Sequence, residues 1–426
     1  MSVIADHPLR YPLANALHAR PFPSVNAPSQ AAYLAVKPTA NAAVRDRALE
    51  RAHLVDLLDR FGAQHPQPDA THFSGQIGQY TLKWESHTEF VTYTVFCMAD
   101  DTPAFTKDLF SAFPQDWLDA MPGARITSAI VQIEQAVDDT AITEKARQWF
   151  VPESVAISRV LDNELVIAAD FRIDAAGHIR FALFCRPDVG PQRVGRVMQR
   201  LCEIETYKAM AMLGLIRARE IGEKLTQIDE RLSSLLADME GHETDPSDVL
   251  TQLLGVSVQI ENIGAQTAFR FAATIAYEKI VNQRIEVLRE TRFEGRQTFG
   301  EFMMRRFDPS MRTVNATERR QQALSNRALR AGDLLRTKVD VERSAQNQAL
   351  LTSMDARAGL QLRLQKTVEG LSIVAISYYG VNLALYLLGP LATLYDISKT
   401  FLAAGVTPVV LVLVWILLRR IHRRMA

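Results

Sequence analysis

KWESHTEF, residues 83–90, alternates charged and apolar side chains in a way that could hold an ion. If the stretch is one strand, Lys83, Glu85, His87 and Glu89 share a face, and Trp84, Ser86, Thr88 and Phe90 take the other. Glu85, His87 and Glu89 then form a row of candidate ligands about 7 Å apart. That spacing is too wide for one metal ion unless a second strand or loop closes on it. A solvated sheet face explains the alternation equally well. A second candidate is HPLRYPLANALHARPFPSV, residues 7–25. Its prolines fix φ, so an extended segment could present His18 and Arg20 to an anion or a carboxylate. The alternative there is an arm packed on a sheet, its arginines paired with acids.

A third set is spaced for a helix. Ser372, Ala375, Tyr379, Asn382 and Tyr386 follow steps of three and four, giving one small and polar face inside an otherwise apolar run. In a bilayer such a face turns toward another helix or toward water. It could line a pore in a ring of subunits, with Glu369 at the entrance, or it could pack against a neighbouring helix. The sequence contains no P-loop, no GxGxxG opening a helix after a strand, no CxxC and no HExxH. No catalytic residue, cofactor site or metal site is assigned, and the chain reads as a non-enzyme.

The elements that position these residues follow from composition and pattern. The 426 residues suffice for two or three domains. Basic and acidic residues balance at 48 each, so nothing global points to nucleic acid. Cys97, Cys185 and Cys202 have no paired spacing, and the opening MSVIADHPLR is too polar for a secretory signal; the cysteines read as reduced thiols.

Gly370 to Tyr395 gives 26 residues without a charge, and Thr400 to Leu418 gives 19 more. Both are long enough to span a bilayer and are apolar all round rather than striped. Asp396 and Lys399 between them suit a membrane edge, and Gly389-Pro390 supplies a helix stop. The expectation is a helical hairpin. Arg357, Arg363 and Lys366 precede the first span, Arg419, Arg420, Arg423 and Arg424 follow the second, and the turn has one lysine. Both termini are therefore expected in the cytoplasm.

Upstream, Asn315 with Glu318 resembles a capping box after a break at DPSMRT (308–313), and no proline follows until Pro390. A continuous helix from there would form a rod of roughly 110 Å, which needs partners. Steps of three and four from Val194 to Met239 give eleven apolar residues in fourteen, a coiled-coil-grade seam interrupted by Lys208, Gly222 and Asp229. Asp245-Pro246 opens a second helix running to about Glu294. The seam does not name its partner: an intramolecular bundle and association between chains both fit.

Residues 1–189 are different. Runs at 31–37, 78–86, 87–98, 125–135, 154–161, 165–173 and 178–186 are rich in β-branched and aromatic residues, and Asp174-Ala175-Ala176-Gly177 marks a hairpin turn. Helical patterns intervene at about 43–62 and 140–149. The result is an α+β domain with a largely antiparallel sheet.

Two resemblances add to this. HPLRYPLANALHARPFPSVNAPSQAAYLAV, KWESHTEFVTYTVF, QRLCEIETYKAMA and the stretch from LLRTKVDV to VAISYY resemble an uncharacterised bacterial family, domain of unknown function 3422, over nearly the whole chain. The resemblance implies predicted membrane-anchored proteins of the bacterial inner membrane and brings no activity. Where such proteins carry an acid, as in NEVHARP, this chain reads ANAL at Ala14 to Leu17. Tyr379-Gly380-Val381-Asn382 resembles the Tyr-Gly-Met-Asn motif of CorA-type magnesium channels, whose architecture is similar. There the motif closes the first span, whereas LALYLLGP follows Asn382 here.

The expected layout is therefore an α+β cytoplasmic domain (1–189), a long helical bundle or coiled-coil stalk (190–367), a transmembrane hairpin (368–418, spans about 368–390 and 400–418) and a basic cytoplasmic tail (419–426). The leading functional expectation is a membrane-anchored cytoplasmic scaffold, partnered by the bilayer and by copies of itself through the stalk. The alternative is a CorA-like channel for magnesium or another divalent cation, using Glu369, Tyr379, Asn382 and Tyr386. A distant third is a ligand or metal sensor using His18, Arg20, Glu85, His87 and Glu89.

Overall fold

The fold is described from a computed structural model, which covers every residue except 1–3, 5, 17–20, 40–44, 100–102, 106, 137, 241–244, 395–397 and 426. The chain divides into two compact units. The first is Met1–Thr244 with Thr251–Ala331, and the second is Asp245–Leu250 with Gly332–Ala426.

The first unit is built on nine strands: β1 Ser29–Lys37, β2 His72–Ile77, β3 Tyr80–Ser86, β4 Val91–Met98, β5 Ala124–Gln135, β6 Ala156–Val160, β7 Leu165–Ile173, β8 Ile179–Cys185 and β9 Thr291–Arg292. Their order is β2-β3-β4-β1-β5-β8-β7-β6-β9. Every described pairing is antiparallel except β5 with β8, so the sheet is α+β and largely antiparallel as expected. The turn at 174–177 forms because Asp174 Oδ1 accepts from the backbone N–H of Ala176 and His178, both at 2.9 Å, while Gly177 takes φ +88°. Strands β2 and β9 were not foreseen. HFSGQI alternates too weakly, and a two-residue strand leaves no period to read.

Helices α1 Arg10–Ala16, α2 Arg47–Arg60, α3 Gln115–Asp119 and α4 Asp139–Trp149 intervene. Asp46 caps α2 by accepting from Ala48 and Leu49 N–H at 2.9 and 3.0 Å. Because strand side chains alternate, Ala32, Leu34, Leu82 and Trp84 meet Leu54, Leu57 and Leu58 of α2 and Trp117 of α3 in one core. A second core under α4 gathers Ile142, Ala146, Val166 and Phe184. The opposite face of the sheet carries Tyr33, Lys83 and Glu85, and it is covered by α5, Pro191–Glu240.

The seam of α5 is buried where the periodicity placed it: Val194, Val197, Leu201, Ile204, Ala211, Leu215 and Leu225 all lie in the core. Near its end Leu225 and Leu232 stay buried, while Ile221, Ile228 and Leu235 are buried in place of Gly222, Asp229 and Leu236, each one residue earlier than the seam. Its partners lie within the same chain. Helix α6, Pro246–Leu288, approaches so closely at Thr274 that a Cβ on Gly214 would sit 2.2 Å from Thr274 Oγ1. Asp229 pairs with Arg327 at 2.9 Å and Arg320 at 3.5 Å. The charge in the seam therefore fixes the helix that follows.

That helix begins earlier than the sequence suggested. Helix α7, Phe299–Arg306, opens with a capping box of Thr298 and Glu301, and α8 runs unbroken from Asp308 to Leu394. DPSMRT is thus a helix start and not a break, because Pro309 in the first turn sacrifices no bonded N–H. Asn315 and Glu318 lie inside the helix. Pro390 does not stop α8 either; one further turn follows it. In the second unit, Gly332–Leu394 of α8 and α9, Lys399–Met425, supply the two helices long and apolar enough to cross a membrane.

Adding a methyl at Gly214 must push α5 from α6. Gly214→Ala is expected to lower unfolding stability by about 1–3 kcal/mol, read as a shift in the denaturant midpoint. The double variant with Thr274→Ala should lose less than the two single losses added. An unchanged midpoint for Gly214→Ala contradicts the close approach.

Candidate functional site

KWESHTEF is not one strand. Strand β3 ends at Ser86, and residues 87–90 form the turn into β4, closed by a hydrogen bond from His87 N–H to Phe90 O at 2.9 Å. Lys83 and Glu85 do share the face under α5, but the turn brings His87 beside Phe90, stacked with ring centroids 4.4 Å apart. The expected row of three ligands is thereby broken. Nor is the face solvated: Lys83, Glu85 and Glu89 are all buried.

Each of these charges is satisfied inside the chain. Glu89 accepts two hydrogen bonds from Arg270 of α6 and one from Tyr277 Oη at 2.8 Å, two helical turns further on. Lys83 Nζ donates to Gln199 Oε1 at 2.6 Å and lies 3.3 Å from Glu85. Gln199 passes the network to Glu203, which pairs with Arg284. On the other side of the turn, Arg45 makes a two-pronged bond to Glu50, at 2.6 Å each, and also reaches Ser86 Oγ and the His87 carbonyl. Charged groups buried this deeply are tolerated because each is paired.

Between the sheet and α5, Tyr33, Glu85, His87, Cys202, Thr206 and Tyr207 surround a cavity of about 20 Å³, room for one water molecule. Tyr33 Oη bonds Thr206 Oγ1 at 2.7 Å, and burial pushes its acidity far below that of free tyrosine. Burial likewise holds the Cys202 thiol protonated well above the ordinary range, so it is no thiolate nucleophile at neutral pH. Tyr277 is raised by burial first and by its bond to Glu89 second. Among the described residues no three His, Cys, Asp or Glu side chains are grouped to hold a metal ion. The arrangement locks a hairpin turn to α6.

His18 and Arg20 lie outside the described residues. The segment just after them is a packed arm: Val25 is buried, its N–H donates to Pro191 O at 3.0 Å, and the Pro23 carbonyl presses on Gly195 of α5. Arg45, Arg270 and Tyr277 were missed in the sequence. The one local signal was an arginine and a tyrosine seven residues apart, hence on one helix face, in the apolar stretch FRFAATIAYEKIV.

In the second unit, α9 packs on α8 at Gly380, where an added Cβ would lie 3.1 Å from Val410 Cγ1. Small residues let membrane helices approach this way. Ser377, one turn earlier, is buried. The candidate pore residues point elsewhere. Tyr379 is 70% and Tyr386 83% exposed, and Asn382 donates to the Tyr378 carbonyl of its own helix at 3.1 Å. Glu369 stands nearly three turns before Tyr379, partly covered.

Two comparisons with known proteins bear on identity. A family model described as "Protein of unknown function (DUF3422)" matches residues 5–425. No curated protein matches the chain, and the CorA likeness gains no support from either.

Removing Arg270 strands the buried Glu89 carboxylate. Arg270→Ala is expected to cost about 3–5 kcal/mol of stability, measured by chemical denaturation. Glu89→Gln in the same chain should restore part of that loss. A neutral Arg270→Ala would show that the pair does not hold the turn.

Proposed function

The chain belongs to the DUF3422 family of proteins of unknown function, and we propose that it is a membrane-anchored scaffold that holds its sheet domain at the cytoplasmic face of a bacterial inner membrane. The observation that carries this reading is the condition of the two apolar helices. The most apolar window of the first is 6% buried within the chain and that of the second 0%. A core helix of a soluble protein of this composition would be mostly buried. Lipid is the surrounding that such side chains require.

Topology follows from the basic residues. Those before the first span and after the second outnumber the single lysine of the connecting turn, placing both termini in the cytoplasm. The sheet domain then stands on that side of the membrane. Its buried charges are spent on internal pairing, which favours a rigid mount over a catalyst or a metal or ligand sensor. Contact with other proteins, copies of this one included, is the role left to its surface.

Cation transport through a ring of subunits is the second reading. One observation favours it, the exposure of Tyr379 and Tyr386 on one side of the helix. The uncharged run from Gly370 to Tyr395 offers no carboxylate to a divalent ion on its way.

The membrane reading is tested by washing a membrane fraction that contains the full chain with alkaline carbonate, which strips peripheral proteins. The chain is expected to stay with the lipid pellet and to leave it only in detergent. Its release into the carbonate supernatant would overturn the proposal.

A further inference from the structure

The polar stripe of the first span extends far upstream of the membrane. Stepping back from Tyr386 through Asn382 and Tyr379 by alternate fours and threes leads to Val368, Met354 and Leu351. None of the eleven positions in this series carries a charge, although Asp355, Arg357, Arg363, Lys366 and Glu369 lie within the same stretch. Each of the other six heptad frames over residues 351–386 includes at least one of those charges. One uncharged seam therefore passes from the aqueous part of α8 into the apolar run without interruption.

Every residue from 340 to 368 is exposed. A single helix of that length in water is marginal on its own and gains its stability from packing. Inside the apolar run the position is more demanding. Asn382 stands halfway along the 26 uncharged residues, with Tyr379 and Tyr386 within about 6 Å of it along the axis. Tyrosine favours the membrane edge, and polar side chains at mid-bilayer seek a hydrogen-bonding partner. Among the described residues, Asn382 donates to the Tyr378 carbonyl of its own helix. Helix α9 covers the side marked by Ser377 and Gly380, and at 100° per residue the Tyr379–Asn382–Tyr386 stripe lies roughly opposite.

We propose that this seam, from Leu351 to Tyr386, is the contact surface for a second copy of the chain, parallel and in register across the membrane boundary. The occupant follows from the chemistry of the stripe. Asparagine amides and tyrosine hydroxyls both donate and accept, so the face is complementary to itself. Two copies anchored in one bilayer with the same topology present it in the same direction and at the same depth. A charge-free seam suits a helix that must pair with its own kind, since no like charges meet across the interface. Asn382, at the middle of the apolar run, then sets the register, as a polar residue in a coiled-coil seam does. The proposal rests on the membrane reading above and names the face by which the copies meet.

Oxidative cross-linking in carbonate-washed membranes tests it. Met354→Cys lies on the seam and Arg363→Cys on the opposite side; both sites are exposed, and the wild-type chain with its three native cysteines sets the baseline. With a copper–phenanthroline oxidant, Met354→Cys is expected to give a product of twice the chain mass, several times the wild-type yield, while Arg363→Cys stays at baseline. Adding Asn382→Leu to Met354→Cys should weaken association about threefold or more. Equal yields at the two sites, or a product whose mass is not twice that of the chain, would overturn the second-copy assignment while leaving the membrane reading intact. Loss of the chain from the membranes during the wash, seen before any oxidant is added, would remove both.

Discussion

Two apolar helices whose described residues are left almost wholly exposed by the rest of the chain are the constraint on which the rest depends. Leu383, Leu387, Phe401 and Leu413 are among the side chains left open along them. Exposing a residue of that size to water costs about 1.5–3 kcal/mol relative to burial. Summed over two spans, the deficit exceeds the whole stability of an ordinary domain. A surrounding as apolar as these side chains is what the proposed membrane insertion supplies. The basic residues at the outer ends, the small contact at Gly380 and the polar stripe on the opposite side all take their meaning from that surrounding.

The sheet domain meets a different demand by different means. It buries lysine, glutamate and arginine between a sheet and two long helices, where an unpaired charge would be ruinous. Each carboxylate that sequence reading offered as a ligand turns out to have a structural partner: Glu85 has Lys83, and Glu89 has Arg270 and Tyr277. The polar layer ties the turn at residues 87–90 to α6, and Arg45 clamps the same turn from the side of α2. What results is rigidity at the junction of sheet and bundle.

How much of this was legible in the sequence depended on the range of the interaction. The period of Val194 to Leu225, the alternation in most strands and the turn at Asp174 to Gly177 are local signals, and they placed α5, seven of the nine strands and a hairpin. The two long apolar helices were legible because length and lack of charge are also local. Failures came where a local signal had two readings. Asp308-Pro309 is a break in one context and a first turn in another. KWESHTEF alternates like a strand, yet the chain turns at His87 because Arg45 and Arg270, distant in sequence, hold that corner. No period in the sequence announces a pairing across 181 residues, and this is why Arg270 was missed. Gly380 stood inside a motif that drew attention to its asparagine, while the glycine makes the contact with α9.

The central claim is that the chain crosses a membrane twice and returns to the side on which it began. Thiol labelling with a membrane-impermeant maleimide tests it directly, using Ser398→Cys in the turn between the spans and Ala358→Cys before the first. In intact spheroplasts Ser398→Cys should be labelled from outside and Ala358→Cys only after permeabilisation. Labelling of Ala358→Cys from outside, or protection of Ser398→Cys until the membrane is opened, would contradict it.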